Sequence, residues 1–353
     1  MNCPPNRFAL LSATVLALSF LAACVHVPVE PPAPPIAAPR PLPPHPATDP
    51  SAATPDAPEW IAPSPASPPP AADVLMAIQT RLDRDHCSPG GIDGRWGPKS
   101  AQALAAWQQK QGRAVTGQID ADVLSALGAT SGILTNFTVA PAHHAELRPR
   151  PSSWIERSKL DRLGYSTIEE QIAERFHLYP AALRRLNPDV TWPNPPAHAV
   201  VTVPHVASPR LPRLSRIEIR IEAKTLRAFD TRGNLVAHFP CSIAADPRKR
   251  PVGETLKVVV WAENPEYTFD PDLFAHDPEA VAIGRKLTIP PGPNNPVGIA
   301  WIGLDRPGFG IHGTPAPEEI GITQSLGCFR LTNWDARKLV HAVHQDLPVL
   351  ILP

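Results

Sequence analysis

Five residues near the C-terminal end of this 353-residue chain have types and spacing suited to covalent chemistry: His312, then Ser325, Gly327, Cys328 and Arg330. A thiol attacks a carbonyl only as thiolate, and its ordinary pKa is about 8.5. An imidazole can take that proton, and a guanidinium nearby favours the negative charge that results. Gly327 leaves room for a substrate backbone just ahead of the thiol, and the main-chain N–H groups of Gly327 and Cys328 are candidate donors to an oxyanion. The set reads as acyl transfer through a thioester, with Cys328 as nucleophile and His312 as general base. A lone cysteine or histidine would more simply be a packing residue; here both ends of one short window carry a partner.

Ile311-His-Gly-Thr314 followed by Ser325-Leu-Gly-Cys-Phe-Arg-Leu331 resembles the active-site signature of the L,D-transpeptidase (YkuD-type) family. Pro290-Pro-Gly-Pro-Asn-Asn-Pro-Val-Gly298 is similar to the segment that leads into the strand before the histidine, and the resemblance covers about residues 217–352. It implies a β-sandwich with one helix, no cofactor, and the Gly313 carbonyl orienting the imidazole. It further implies that Ser325 lines the site and that Arg330 supports the loop or a substrate carboxylate. The implied substrate is peptidoglycan. Cys328 would acylate on the third residue of a tetrapeptide stem, release D-alanine, and pass the acyl group to an amine of a second stem or a protein. Water as acceptor would make the enzyme an L,D-carboxypeptidase or amidase, and a dead site would leave a wall-binding lipoprotein. Phe329 stands where the family has a smaller aliphatic residue, which bears on acceptor fit.

The elements that must position these residues are mostly strands. Ile217, Ile219 and Ile221 alternate with Glu218, Arg220 and Glu222, the period of a half-buried strand. Residues 225–230, a Thr231-Arg-Gly-Asn turn and 235–243 predict a hairpin; 257–261, 298–302, 308–312 and 347–352 are further strands. Thr332 with Asp335 predicts a capping box for one helix, with Ala336, Leu339, Val340 and Val343 on its inner face. The C-terminal domain, 215–353, is therefore mostly β.

Ahead of it the chain changes character several times. Residues 1–24 read as a signal peptide whose end, Leu21-Ala-Ala-Cys24, resembles a lipobox, so that Cys24 would be lipidated. No Asp follows Cys24, which points to the periplasmic face of the outer membrane. Proline dominates 25–72, a tether in extended polyproline form. Residues 73–128 predict a three-helix module, and Ile92-Asp-Gly-Arg-Trp-Gly97 with Trp107-Gln108 is similar to a peptidoglycan-binding domain. Residues 129–158 read as a linker. Residues 159–206 carry two helices, a Leu186-Asn-Pro188 turn and a final strand, similar to a LysM-type glycan-binding repeat; a packing spacer is the alternative.

Composition narrows the partners. Thirty-three basic and 33 acidic residues balance, so nothing favours binding of nucleic acid. With Cys3 removed and Cys24 lipidated, Cys87, Cys241 and Cys328 remain, an odd number that does not give an even disulfide framework, and a Cys87–Cys241 bridge would require two domains to touch. His143-His144 lacks further ligands, so no metal site is expected.

Overall fold

The computed structural model describes residues 71–128, 132–274, 276–323, 325 and 327–353. The lipobox-like segment with Cys24 and the proline-rich tether lie outside them.

The first three helices are α1 (Ala72–Arg84), α2 (Pro98–Lys110) and α3 (Ala121–Leu127). Ile78, Leu82, Leu104, Trp107, Val123 and Leu127 are buried together between them. Each such side chain stabilises the fold by roughly 1.5–3 kcal/mol on leaving water. Two glutamines fasten the turns. Gln79 Oε1 accepts from Gly94 N–H at 2.7 Å while its amide donates to Asp93 at 2.9 Å. Gln108, the polar half of the Trp-Gln pair, accepts from Gly117 N–H at 2.8 Å. Gly94 is held at φ +66°, and a Cβ there would lie 2.7 Å from the Ala72 carbonyl, so glycine is demanded by packing.

The middle unit departs from the expected bounds. Strand β1 (Leu134–Thr138) lies inside 129–158, the stretch read as a linker, followed by the short helices α4 (Pro141–Ala145) and α5 (Trp154–Ser158). It pairs antiparallel with β2 (Val200–Pro204), and α6 (Ile168–Arg175) and α7 (Pro180–Leu186) fall between the two strands. β1 escaped the sequence reading because it is largely exposed on both faces and so shows no alternation. The Leu186-Asn-Pro turn has a clear role: Asn187 accepts from Thr202 N–H at 2.7 Å and donates to the Thr202 carbonyl at 2.8 Å, clamping α7 to β2. His143 is structural too, its Nδ1 accepting from Ala140 N–H at 3.0 Å.

The C-terminal domain is built on an eight-stranded sheet. In chain order its strands are β3 (Leu214–Arg220), β4 (Thr225–Asp230), β5 (Leu235–Pro240), β6 (Thr255–Glu263), β9 (Ala300–Leu304), β10 (Gly310–His312), β11 (Phe329–Arg330) and β12 (Pro348–Leu352). A separate pair, β7 (Tyr267–Phe269) with β8 (Leu287–Ile289), flanks helix α8 (Pro278–Ile283). The spatial order is β11-β10-β9-β6-β12-β3-β4-β5, antiparallel except at β12–β3 and β10–β11. Helix α9 (Asn333–Val340) starts where expected, Asp335 N–H donating to Thr332 Oγ1 at 3.2 Å. Ile217, Ile219, Ile302, Ile311, Phe329 and Leu339 share one core. Phe329 is 1 % exposed there, so its ring fills the core and does not stand in the path of an acceptor.

The domains touch. Cys87 lies beside His238 at the edge of β5, with Ser88 N–H donating to the His238 carbonyl at 2.9 Å. Cys87 and Cys241 nevertheless remain free and buried, and burial pushes both thiols up to about 12.

Candidate active site

β11 is two residues long because the loop that precedes it, and the helix that follows, leave only Phe329 and Arg330 to pair with β10. The register decides the site. Arg330 lies opposite His312, and His312 lies opposite Trp301 of β9. Residues directly opposite one another point to the same face, so Arg330, His312 and Trp301 form one row. Cys328, two residues before Arg330, falls on that face one row away, beside Gly310, which is itself opposite Gly303. Those glycines make room for the Trp301 indole: a Cβ on Gly310 would be 2.5 Å from its ring, and one on Gly303 would be 3.0 Å from its nitrogen. Trp301 then stacks on the imidazole at 5.7 Å between centroids, 24° from parallel.

His312 is 6 % exposed. Its Nδ1 lies 2.6 Å from the Gly313 carbonyl. A carbonyl can only accept, so Nδ1 carries the proton and Nε2 has the free lone pair of a base. Burial, with the Arg330 charge adding to it, lowers the imidazole pKa to about 4 against the pull of the carbonyl. The ring is therefore neutral at pH 7. Cys328 is half-buried; burial raises its thiol, while the Gly310 N–H and Arg330 work the other way. The resting pair is a neutral thiol with a neutral imidazole, and the thiol donates to the Gly308 carbonyl at 3.4 Å.

The loop carrying the thiol is pinned from both sides. Ser325 Oγ donates to the Cys328 carbonyl and accepts from Gly327 N–H at 3.3 Å. Ser325 N–H donates to Ile243 O at 2.8 Å, and Arg330 exchanges two backbone bonds with Ser242. Arg330 Nη2 donates to Thr323 Oγ1 at 2.9 Å, which places it as a support of the loop. The Gly327 N–H, expected as an oxyanion donor, is turned to Ser325 inside this loop. Among the described residues, a Cβ on Gly327 would meet only Lys249 Cδ, at 3.9 Å.

Two contributors were missed by reading the motif alone. Trp301 carries no sign of its role beyond lying in a predicted strand. Asn333, first residue of α9, packs against Gly313: a Cβ on Gly313 would lie 2.3 Å from Asn333 Oδ1, and one on Gly298 (φ +62°) 2.0 Å. Asn333 Oδ1 also accepts from Ile299 N–H at 3.2 Å. Its neighbours Thr332 and Asp335 were singled out as a helix cap, and a polar residue at the buried start of that helix was the available signal.

Residues 215–351 match the YkuD family, the L,D-transpeptidase catalytic domain. That match spans the C-terminal domain. Ahead of it, residues 72–127 match the family described as "Putative peptidoglycan binding domain". Among curated relatives, "Putative L,D-transpeptidase YkuD" of Bacillus licheniformis is 28 % identical over 185 residues, 52 % of this chain and 93 % of that one. "Probable L,D-transpeptidase YcfS" of Escherichia coli is 29 % identical over 238 residues, covering 62 % and 72 %. "Putative L,D-transpeptidase YqjB" of Bacillus subtilis reaches 36 % over 107 residues, 29 % of this chain, which spans about half (51 %) of that relative.

Proposed function

We propose that the chain is a cell-wall L,D-transpeptidase acting on peptidoglycan through a Cys328 thioester. The observation that carries this reading is the register that sets Cys328 one row from an imidazole whose Nδ1–H is committed to the Gly313 carbonyl. His312 Nε2 takes the thiol proton as Sγ bonds to the carbonyl carbon of the third residue of a tetrapeptide stem. The Cys328 N–H steadies the oxyanion that forms. Collapse breaks the C–N bond to the terminal D-alanine, whose amine receives the proton from His312. A second amine then attacks the thioester, loses its proton to His312, and expels the thiolate, which recovers that proton. The product is a new amide between two third residues or between a stem and a protein.

The N-terminal module supports the same substrate, since a weak grip on the polymer raises the local concentration of stems. Lipidation at Cys24 and a site on the periplasmic face of the outer membrane complete the proposal, supported by Leu21-Ala-Ala-Cys24 and the proline-rich spacing that follows. The test is mass analysis of muropeptides after incubating the full chain with purified sacculi. Loss of one alanine from tetrapeptide stems together with new stem-to-stem or stem-to-protein amides is the expected result. Release of alanine with free third-residue carboxylates alone would make the enzyme a carboxypeptidase, and unchanged muropeptides would overturn the reading.

A further inference from the structure

We propose that Glu174, carried by α6 of the middle unit, is a positioning residue for His312, acting through Asn333; this rests on the reading of Cys328 and His312 as nucleophile and base. Each link is short. Glu174 Oε2 accepts from Asn333 Nδ2 at 2.7 Å, and Glu174 Oε1 accepts from the Tyr165 hydroxyl at 2.8 Å. Asn333 Nδ2 also reaches the Pro293 carbonyl at 3.2 Å, and its Oδ1 accepts from Ile299 N–H. Three fixed partners set the plane of the amide and which end is oxygen. That oxygen lies against the Gly313 backbone, too close to admit a methyl group, and the Gly313 carbonyl is the group that holds His312 Nδ1. A flipped Asn333 would set its NH2 against the Ile299 N–H, donor to donor, and press hydrogens toward Gly313. Glu174 is the nearer of the two acceptors, with the Pro293 carbonyl, that oppose the flip.

Packing alone does not account for a carboxylate here. Glu174 as a residue is only half-buried, but its carboxyl is turned inward, and burial pushes its pKa up to about 7 against the hydrogen bonds from Asn333 and Tyr165. Withdrawing a carboxyl group from water costs free energy that an apolar side chain would avoid. The middle unit is also docked without it. Leu163 N–H donates to the Pro291 carbonyl at 2.8 Å, Asn294 N–H to the Leu163 carbonyl at 3.1 Å, and Asn294 Nδ2 to Glu170 Oε1 at 2.7 Å. Gly292, at φ +139°, lets the Leu163 carbonyl approach to 2.2 Å of where a Cβ would stand. Loss of the Glu174 carboxylate should therefore leave the units together while freeing Asn333. The middle unit thus contributes to the catalytic machinery as well as to the architecture.

The experiment uses the full chain and its Glu174→Ala, Glu174→Asp and Glu174→Gln variants. Three readouts are taken: the 15N shifts of the His312 ring, the rate of Cys328 alkylation by iodoacetamide located by peptide mapping, and kcat and KM for D-alanine release from a soluble tetrapeptide. In E174A and E174D the imidazole signals should move from a pure Nδ1–H tautomer toward a mixture, alkylation should slow, and kcat should fall on the order of tenfold with KM little changed, the cost of a misplaced base. E174Q, whose oxygen accepts from Asn333 and whose NH2 donates to Tyr165, should restore all three. Should E174A not fold, the E174D and E174Q pair decides. An unshifted His312 tautomer with wild-type alkylation in E174D, or E174Q no better than E174D, overturns the proposal. A wild-type enzyme that releases no D-alanine would instead sink the transpeptidase reading, and the tautomer and alkylation comparison would still judge Glu174.

Discussion

Two buried histidines can be set side by side. His312 stacks on Trp301 at 5.7 Å, and His177 stacks on Trp334 at 5.2 Å. His312 has only a backbone carbonyl at Nδ1, whereas His177 Nδ1 lies 2.8 Å from the Asp83 carboxylate, the partner usually expected behind a catalytic imidazole. Yet His177 is the structural one. Its surroundings are that carboxylate, an indole and the charged Lys338, and none of them can attack a carbonyl. Asp83 comes from α1, His177 from the turn after α6, and Lys338 from α9, so the cluster clasps three units together. Burial would raise Asp83, but His177 and Lys338 outweigh it and hold the carboxyl well below its usual range. The partner behind the ring sets tautomer and charge; the group in front of it decides whether there is chemistry.

The sharpest way to break this contrast is to exchange the losses. His312→Gln should cut D-alanine release by about a hundredfold or more, the worth of a general base, while its unfolding midpoint moves little. His177→Gln should do the reverse, lowering the midpoint with activity per folded molecule unchanged. Equal activity losses would erase the distinction. Lys338→Met tests the clasp: it leaves the buried Asp83 without its lysine partner and should cost about 3–5 kcal/mol in denaturant unfolding. A cost below 1 kcal/mol would mean the cluster holds nothing.

Acid should tell the regions apart more gently. His312, His86 and His238 have pKa values lowered by burial to about 4, 4 and 3. The unfolded chain binds their protons first, so their contribution is whole above about pH 6.5 and is lost as pH falls toward 4. Burial raises Glu174 to about 7 and Asp335 to about 6, and these oppose the trend by adding stability as pH falls below 7. The histidines outnumber them, so stability should decline from pH 6.5 to 4.5. His312→Gln should flatten that slope by at most about 1.4 kcal/mol per pH unit, one group's share. The smallest expected effect is Thr323→Val. It removes the exposed bond to Arg330 and should change stability by no more than about 0.5 kcal/mol, with kcat reduced severalfold at most.

Cys328 and His312 stood out because their chemistry is written into a short window, Gly313 was added through the family signature, and strand pairing draws the window together within twenty residues of sequence. The alternation at Ile217–Ile221 and the cap at Thr332 were legible for the same reason, since both are local. Glu174 and Asn333 were not. They stand 159 positions apart, and nothing periodic connects a helix in one unit to the first turn of another. Strand β1 failed differently: its exposed residues lack the alternation that burial imposes on one face. Gly327 shows a limit of motif reasoning, because its N–H had an obvious role on paper and a nearer partner, Ser325, in the folded loop.

The central claim is that Cys328 forms a thioester with the third residue of a stem. Intact mass spectrometry of the protein, quenched in acid within the first turnover on a soluble tetrapeptide, tests it directly. The expected species is the chain plus the stem minus D-alanine, with the adduct mapped to Cys328 and absent from Cys328→Ala. Release of D-alanine with no adduct at any time, or with the adduct unchanged in the alanine variant, would contradict it.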